Sequence, residues 1–407
     1  KKPCICSFSQ GFVLLYKKRG SPERRFRHHA EEERDGKWDL SPRGKERMRM
    51  YQDGSGRHTE RKQLTAADGT VLNGKLDLPA GHAERLVILV NGSGPNTCDN
   101  RRDKGDGTQF CFYEMLAQEF CSRGVACFRY AARGCTEGDM PPLYCTVEET
   151  AYQTYTPQNS ITDLEQWIGA LREDSRLRDA RVVLFGMSEG AMIAPAVARR
   201  GHAALAGLLL EGYANSTMEE VLDWQQSGNS DLLFYRRYFD EDGTGVITRA
   251  AFEEDRYGVA AALGVSFDML DQNGDGVLDL SDFAAHNAEN RAAVFRAIRM
   301  RDDTWLRTHY PVRLTANWFE GHRRLPPNRE TMPQLTLPLH IFQGTMDANV
   351  SVEETLAVRD AFAALGKQNL TVHLYENAGH TLDFESYLYT GVWPDGWRDI
   401  FDIAAAL

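Results

Sequence analysis

The chain has 407 residues, 42% hydrophobic and 10% aromatic, which makes it a globular protein able to bury one large core or two smaller ones. Its formal net charge of −11 argues against nucleic acid as a partner. The charge is uneven: residues 1–62 hold 17 Lys/Arg against 9 Asp/Glu, which leaves −19 on the rest.

Residues 1–62 read as a basic, solvated extension without a catalytic part. The apolar run Phe12, Val13, Leu14, Leu15 falls far short of the roughly 18 residues that cross a bilayer, and no small-residue cleavage site follows it in position. No integral membrane span is expected. All eight cysteines lie between Cys4 and Cys145, an arrangement unlike a disulfide framework for the whole molecule, and Cys4-x-Cys6 lacks the partners of a zinc site. Reduced thiols and a cytoplasmic location are the default, with a secreted, bridged form as the alternative allowed by the even count.

From residue 61 the pattern becomes regular. Two strand-like runs flank the turn signal Asp68-Gly69, and the buried strand RLVILV runs into Asn91-Gly92-Ser93-Gly94-Pro95. A helix over 112–123 leads to the strand at 125–130, and residues 161–172 form an amphipathic helix. Residues 181–200 then read as strand, small-residue turn and Ala-rich helix, with Ser188 at the apex of GMSEG. A serine there has strained backbone dihedrals and an exposed hydroxyl, which makes Ser188 the candidate nucleophile. A hydroxyl needs a base to take its proton and a carboxylate to orient that base. Asp347 follows the strand-like LPLHIF, and His380 follows LTVHLY, both at carboxyl ends of strands, where open α/β sheets place their ligands.

The order Ser188, Asp347, His380, together with GMSEG, GTMD and AGH, resembles the α/β-hydrolase superfamily. The resemblance spans about residues 63–214 and 336–407 and implies a mostly parallel central sheet flanked by helices. It also implies an oxyanion hole made by the Ser93 and Glu189 N–H groups. Asn91 stands where that superfamily often has His, a neutral change because the donor is a backbone N–H. Arg129, Tyr130, Arg133 and Gly134 resemble a segment of serine-aminopeptidase-like and prolyl-oligopeptidase-like hydrolases. Ala132 replaces the Asp often found there, so these residues are read as structural, with no charge role.

The hydrolase pattern stops after residue 214 and resumes near 336. Insertions at this point commonly form a cap over the site in the resembled superfamily, so 215–335 is expected to be an inserted, mainly helical cap domain. Within it, residues 271–282 resemble an EF-hand loop: Asp271, Asn273, Asp275, Asp279 and Asp282 stand at positions 1, 3, 5, 9 and 12, the Val277 carbonyl at 7, Gly276 at 6 and Leu278 at 8. Asp at position 12 reaches less far than the usual Glu. Residues 240–251 follow the same template with Asp240, Asp242, Thr244, Val246 and Thr248, but Ala251 removes the bidentate carboxylate unless Glu253 or Glu254 bends in. A structural Ca²⁺ in the cap is implied, its two loops paired by a short strand contact, and no organic cofactor.

These features describe a serine hydrolase that cleaves a small-molecule carboxylic ester through an acyl-enzyme. A serine peptidase or acyl thioesterase on the same triad is the alternative. From another class, a calcium-responsive binding protein on a hydrolase scaffold is the second alternative, opposed by the complete triad. Nothing in the pattern sets an oligomeric state.

Overall fold

The computed structural model describes residues 56–104 and 107–407. Most of the basic extension, with Cys4 and Cys6, lies outside the described residues. Eight strands form the central sheet: β1 (His58–Thr65), β2 (Val71–Leu78), β3 (Arg85–Val90), β4 (Ala126–Tyr130), β5 (Arg181–Met187), β6 (Leu205–Glu211), β7 (Leu339–Gly344) and β8 (Leu370–Tyr375). Their spatial order is β1-β2-β4-β3-β5-β6-β7-β8. Only β2 runs against its neighbours.

Continuous apolar strands such as RLVILV are buried on both faces, as a parallel sheet under two helical layers requires. Val87 and Leu89 face one layer with α1 (Phe112–Ser122), whereas Leu86, Ile88 and Val90 face the other with α2 (Pro157–Arg172) and α3 (Gly190–Arg200). The amphipathic helix expected over 161–172 begins a turn earlier, because Thr156 caps it and Pro157 fits the first turn.

The chain leaves the sheet after Glu211 and returns at Leu339. Between them lie α4 (Met218–Trp224), a widened turn at Gln225–Asn229, α5 (Ser230–Phe239), α6 (Leu280–Met300) and α7 (Ala316–Arg323). This insertion has its own apolar cluster, in which Tyr235 stacks on Phe239 and Phe283. A second cluster joins α6 and α7 to Tyr152 and Tyr155 of the core, seating the insertion on the sheet edge that carries Ser188. After β7 and β8 come α8 (Val352–Ala364) and α9 (Asp395–Ala406).

Arg129 and Arg133 correct the expectation that this segment carries no charge role. The Arg129 guanidinium is buried between Asp77, at 2.8 Å, and Asp99. Arg133 forms a two-pronged pair with Asp163, at 2.6 and 2.7 Å, and also reaches Asp68 of the β1–β2 turn. Such planar double contacts suit the guanidinium fork, and they tie the antiparallel edge to the parallel sheet.

Candidate active site

The turn that carries Ser188 is built by close backbone approach. Ser188 follows β5 with φ of 55°, a region costly for a side-chain-bearing residue. A Cβ on Gly186 would lie 2.3 Å from the Gly190 carbonyl oxygen, and one on Gly190 would lie 2.1 Å from that of Val90, so both positions need glycine. The turn is held by Ser188 N–H donating to the Glu211 carbonyl at 2.8 Å and by Ala191 N–H donating to the Ser188 carbonyl at 2.8 Å.

Asp347 and His380 come together from the loops after β7 and β8. The His380 Nδ1–H donates to Asp347 Oδ2 at 2.8 Å. Asp347 is wholly buried, and its other contacts fix it: Oδ1 accepts from the Asn349 and Val350 N–H groups at 2.8 and 3.0 Å, and Oδ2 accepts from Gln343 Nε2 at 2.8 Å. Four donors on one carboxylate fix its position and aim it at the ring. Burial works against a charged His380, but the Asp347 charge and hydrogen bond, with Glu211 and Glu385 nearby, outweigh it and push the ring up to about 9. Among the described residues no hydrogen bond joins Ser188 Oγ to His380. Both line one cavity of about 370 Å³, and such contacts commonly tighten only when substrate is bound.

The loop after β3 passes over Ser188, since a Cβ on Gly92 would lie 3.4 Å from Ser188 Cβ. Among the described residues, neither Ser93 N–H nor Glu189 N–H donates to another protein group. Glu189 also does something its place in the motif did not suggest. Its carboxylate is buried and accepts from Tyr155 Oη, Trp318 Nε1 and His322 Nε2, each at 2.9 Å. Two of those partners belong to α7, so the insertion is anchored on the residue beside Ser188.

Sequence reasoning misses two further groups, Gln343 and Glu211, and reads a third, Arg102, only as one charge of a polar loop over the site's rim. Gln343 braces Asp347, and its position five residues into β7 carried no sign of this. Glu211, at the end of β6, lines the cavity with Oε1 unpartnered; burial pushes it up to about 8, opposed by His380 and aided by Asp347. Arg102 lines the same cavity.

The alpha/beta hydrolase family model matches residues 87–387 of this sequence. The chain belongs to the alpha/beta hydrolase family. No curated protein matches it. Among solved structures this hydrolase is similar to a lipase in open form, at 16% identity, with 86% of this chain and 100% of that chain covered and a TM-score of 0.48. It is also similar to a Pyrococcus furiosus esterase, at 10% identity, 91% and 95% coverage and a TM-score of 0.46. A thermostable carboxyl esterase from Bacillus coagulans matches this hydrolase at 14% identity, 86% and 98% coverage and a TM-score of 0.48.

The EF-hand-like loops of the hydrolase lie in the insertion, and Ile247–Thr248 pairs antiparallel with Val277–Leu278. Gly243 and Gly245 in the first loop, and Gly274 and Gly276 in the second, share positive φ at matching positions. Among the described residues no group of three or more His, Cys, Asp or Glu side chains is gathered to hold a metal. In the second loop the carboxylates bond to loop N–H groups: Asp271 accepts from Gly274 and Gly276, Asp275 from Val277, Asp279 from Ser281, and Asp282 from Gln272. With Asn273 and the Val277 carbonyl, these hard oxygens fit Ca²⁺ in kind. The first loop does not fit. Arg236 donates to Asp240 at 2.8 Å, Ala251 offers no carboxylate, and Glu253 and Glu254 pair with Arg249 and Arg256, leaving Asp242, Thr244, Val246 and Thr248 a poor set.

Among the described residues no disulfide joins Cys98, Cys111, Cys121, Cys127, Cys135 and Cys145 to one another. Among the described residues no helix is long and apolar enough to cross a membrane.

Proposed function

We propose that the protein is a serine esterase that cleaves carboxylic esters through an acyl-enzyme. The observation that carries this reading is the convergence of a strained Ser188 and the His380–Asp347 pair on one cavity. Ser188 Oγ attacks the acyl carbon while His380 Nε2 takes its proton. The Nδ1–H donated to Asp347 leaves Nε2 as the accepting nitrogen and holds the ring as it becomes charged. The Ser93 and Glu189 N–H groups, which have no acceptor among the described residues, receive the developing oxyanion. Collapse breaks the ester C–O bond, and the alcohol leaves with the proton from His380. Water then repeats the sequence on the acyl-serine and restores Ser188.

The apolar walls of the cavity, among them Phe110, Phe112, Leu222 and Leu314, favour an ester with a hydrophobic part over a peptide. A structural Ca²⁺ held by Asp271, Asn273, Asp275, Val277, Asp279 and Asp282 accompanies this proposal. Its part would be to order the insertion, and no chemical step passes through it.

A serine-directed fluorophosphonate should label the protein once, and Ser188→Ala should abolish both labelling and turnover with the unfolding temperature retained. Nitrophenyl esters, aminoacyl anilides and acyl thioesters assayed side by side separate esterase from peptidase and thioesterase. Undiminished turnover in Ser188→Ala would sink the assignment.

A further inference from the structure

Arg102 is the one cation on the cavity wall that no described carboxylate pairs within 4 Å. One nitrogen, Nη1, is anchored by donating to the Arg101 carbonyl at 3.0 Å and to the Leu143 carbonyl at 3.2 Å. The remaining N–H groups of the fork have no partner among the described residues, and the side chain lines the same cavity as Ser188 and His380. Arg313, the other guanidinium on this wall, is paired with Glu149.

The acids around the cavity do not supply the missing partner. Glu189 is bound by Tyr155, Trp318 and His322. Glu385 accepts from Thr381 Oγ1 at 2.7 Å, and burial raises its pKa. Glu211 is pushed by burial up to about 8, so it is mainly neutral at neutral pH. Asp103 lines the cavity but has an interaction of its own. Burial also lowers the Arg102 pKa, opposed by weaker contributions from Tyr113, Cys145 and Glu137, none of them in hydrogen-bond or ion-pair contact with it.

We propose that Arg102 is the recognition site for an anionic oxygen group on the substrate, so that the enzyme prefers esters that join an apolar body to a carboxylate or phosphate. A guanidinium already held at one nitrogen presents its free edge with little ordering cost, and its planar fork matches either anion. The apolar cavity takes the body of such a molecule, Ser188 takes its acyl carbon, and Arg102 takes its charged end. Arg102 thus selects substrate and touches no reacting bond.

The inference rests on the esterase reading, and its test separates the two. Nitrophenyl hemi-esters of straight-chain dicarboxylic acids of increasing length would be compared with their neutral methyl-capped counterparts. Acyl esters of glycerol phosphate would be set against those of glycerol, which places the anion on the alcohol side. Wild type should prefer one anionic set by about ten- to a hundredfold in kcat/KM, mostly through KM, with the preference shrinking as salt rises. Arg102→Met should bring that ratio near one, and Arg102→Lys should keep part of it. Binding of a long-chain carboxylate against the alcohol of equal length, measured by calorimetry on Ser188→Ala, reads the same contrast without turnover. It also serves if Arg102→Met does not fold. Equal turnover of anionic and neutral esters by wild type, or a ratio unchanged in Arg102→Met, would overturn the anchor while leaving the esterase standing. Absence of turnover on every ester, with the binding contrast intact, would overturn the esterase reading instead.

Discussion

Replacing Asp347 by Asn isolates the work of this carboxylate, because its surroundings dictate how an amide must sit. The Oδ1 position accepts from two main-chain N–H groups, so the amide oxygen takes it and the amide nitrogen takes the Oδ2 position. There the new NH₂ meets two existing donors, Gln343 Nε2 and His380 Nδ1, each at 2.8 Å in the parent protein. His380 can accept from it only by moving its proton to Nε2, the nitrogen that must receive the Ser188 proton. Rate loss for such a wrong tautomer is about 10³- to 10⁴-fold, or about 4–5 kcal/mol of barrier. The ring also loses its charge partner while burial, the largest influence on it, remains, so the pKa seen in kcat/KM should fall from about 9. The assay is steady-state hydrolysis of a short nitrophenyl ester across pH, with circular dichroism and thermal unfolding to show that the variant folds. A loss below about tenfold, or an unmoved pH profile, would refute Asp347 as the orienting acid.

Activity of the parent should rise with pH toward about 9, because the base must first lose its proton; Glu211→Gln removes a negative charge that favours the imidazolium and should move that rise to lower pH, and an identical profile would exclude coupling between the two groups. Gly190→Ala places a Cβ 2.1 Å from a backbone oxygen, so it should cost about 1–3 kcal/mol or more in chemical denaturation and displace Ser188; normal stability and turnover would show that the turn is looser than described. Chelation should lower the unfolding temperature of the parent and do less to Asp271→Ala, with bulky esters losing more turnover than small ones. Equal unfolding temperatures in all four samples would remove calcium from the second loop.

The placement of Ser188, Asp347 and His380 at strand ends was legible because each sits where local sequence changes character: a β-branched run gives way to Gly-x-Ser-x-Gly, or an apolar run ends in a short polar loop. The pairing of Ile247–Thr248 with Val277–Leu278 was legible for a similar reason, since both loops repeat one spacing of oxygen-bearing residues and glycines. Contacts that depend on distant chain segments left no such trace. Arg129 meets Asp77 52 positions away, and Glu189 meets His322 133 positions away. Arg102 reads as one charge among several in the polar stretch 96–108 over the rim of the site, and only the folded chain puts it on the cavity wall with no described carboxylate within 4 Å. Glu211 is the reverse case: at the end of an apolar strand, its carboxyl becomes a neighbour of His380 only when β6, β7 and β8 lie side by side.

The three hydrogen bonds to the Glu189 carboxylate bear on how the insertion could be exchanged between enzymes. Recombining this core with a foreign insertion would remove Trp318 and His322 and leave the buried Glu189 side chain with Tyr155 alone, next to Ser188. A foreign core that receives this lid would leave an indole N–H and an imidazole without an acceptor. Residues 189, 318 and 322 therefore behave as one heritable unit although they straddle the seam, and a chimera drawn at the edges of the insertion would break it. Two of the three bonds come from α7 and latch it to the core, whereas the stretch from α4 to α5 departs from helical geometry at Gly228, at φ of 94°.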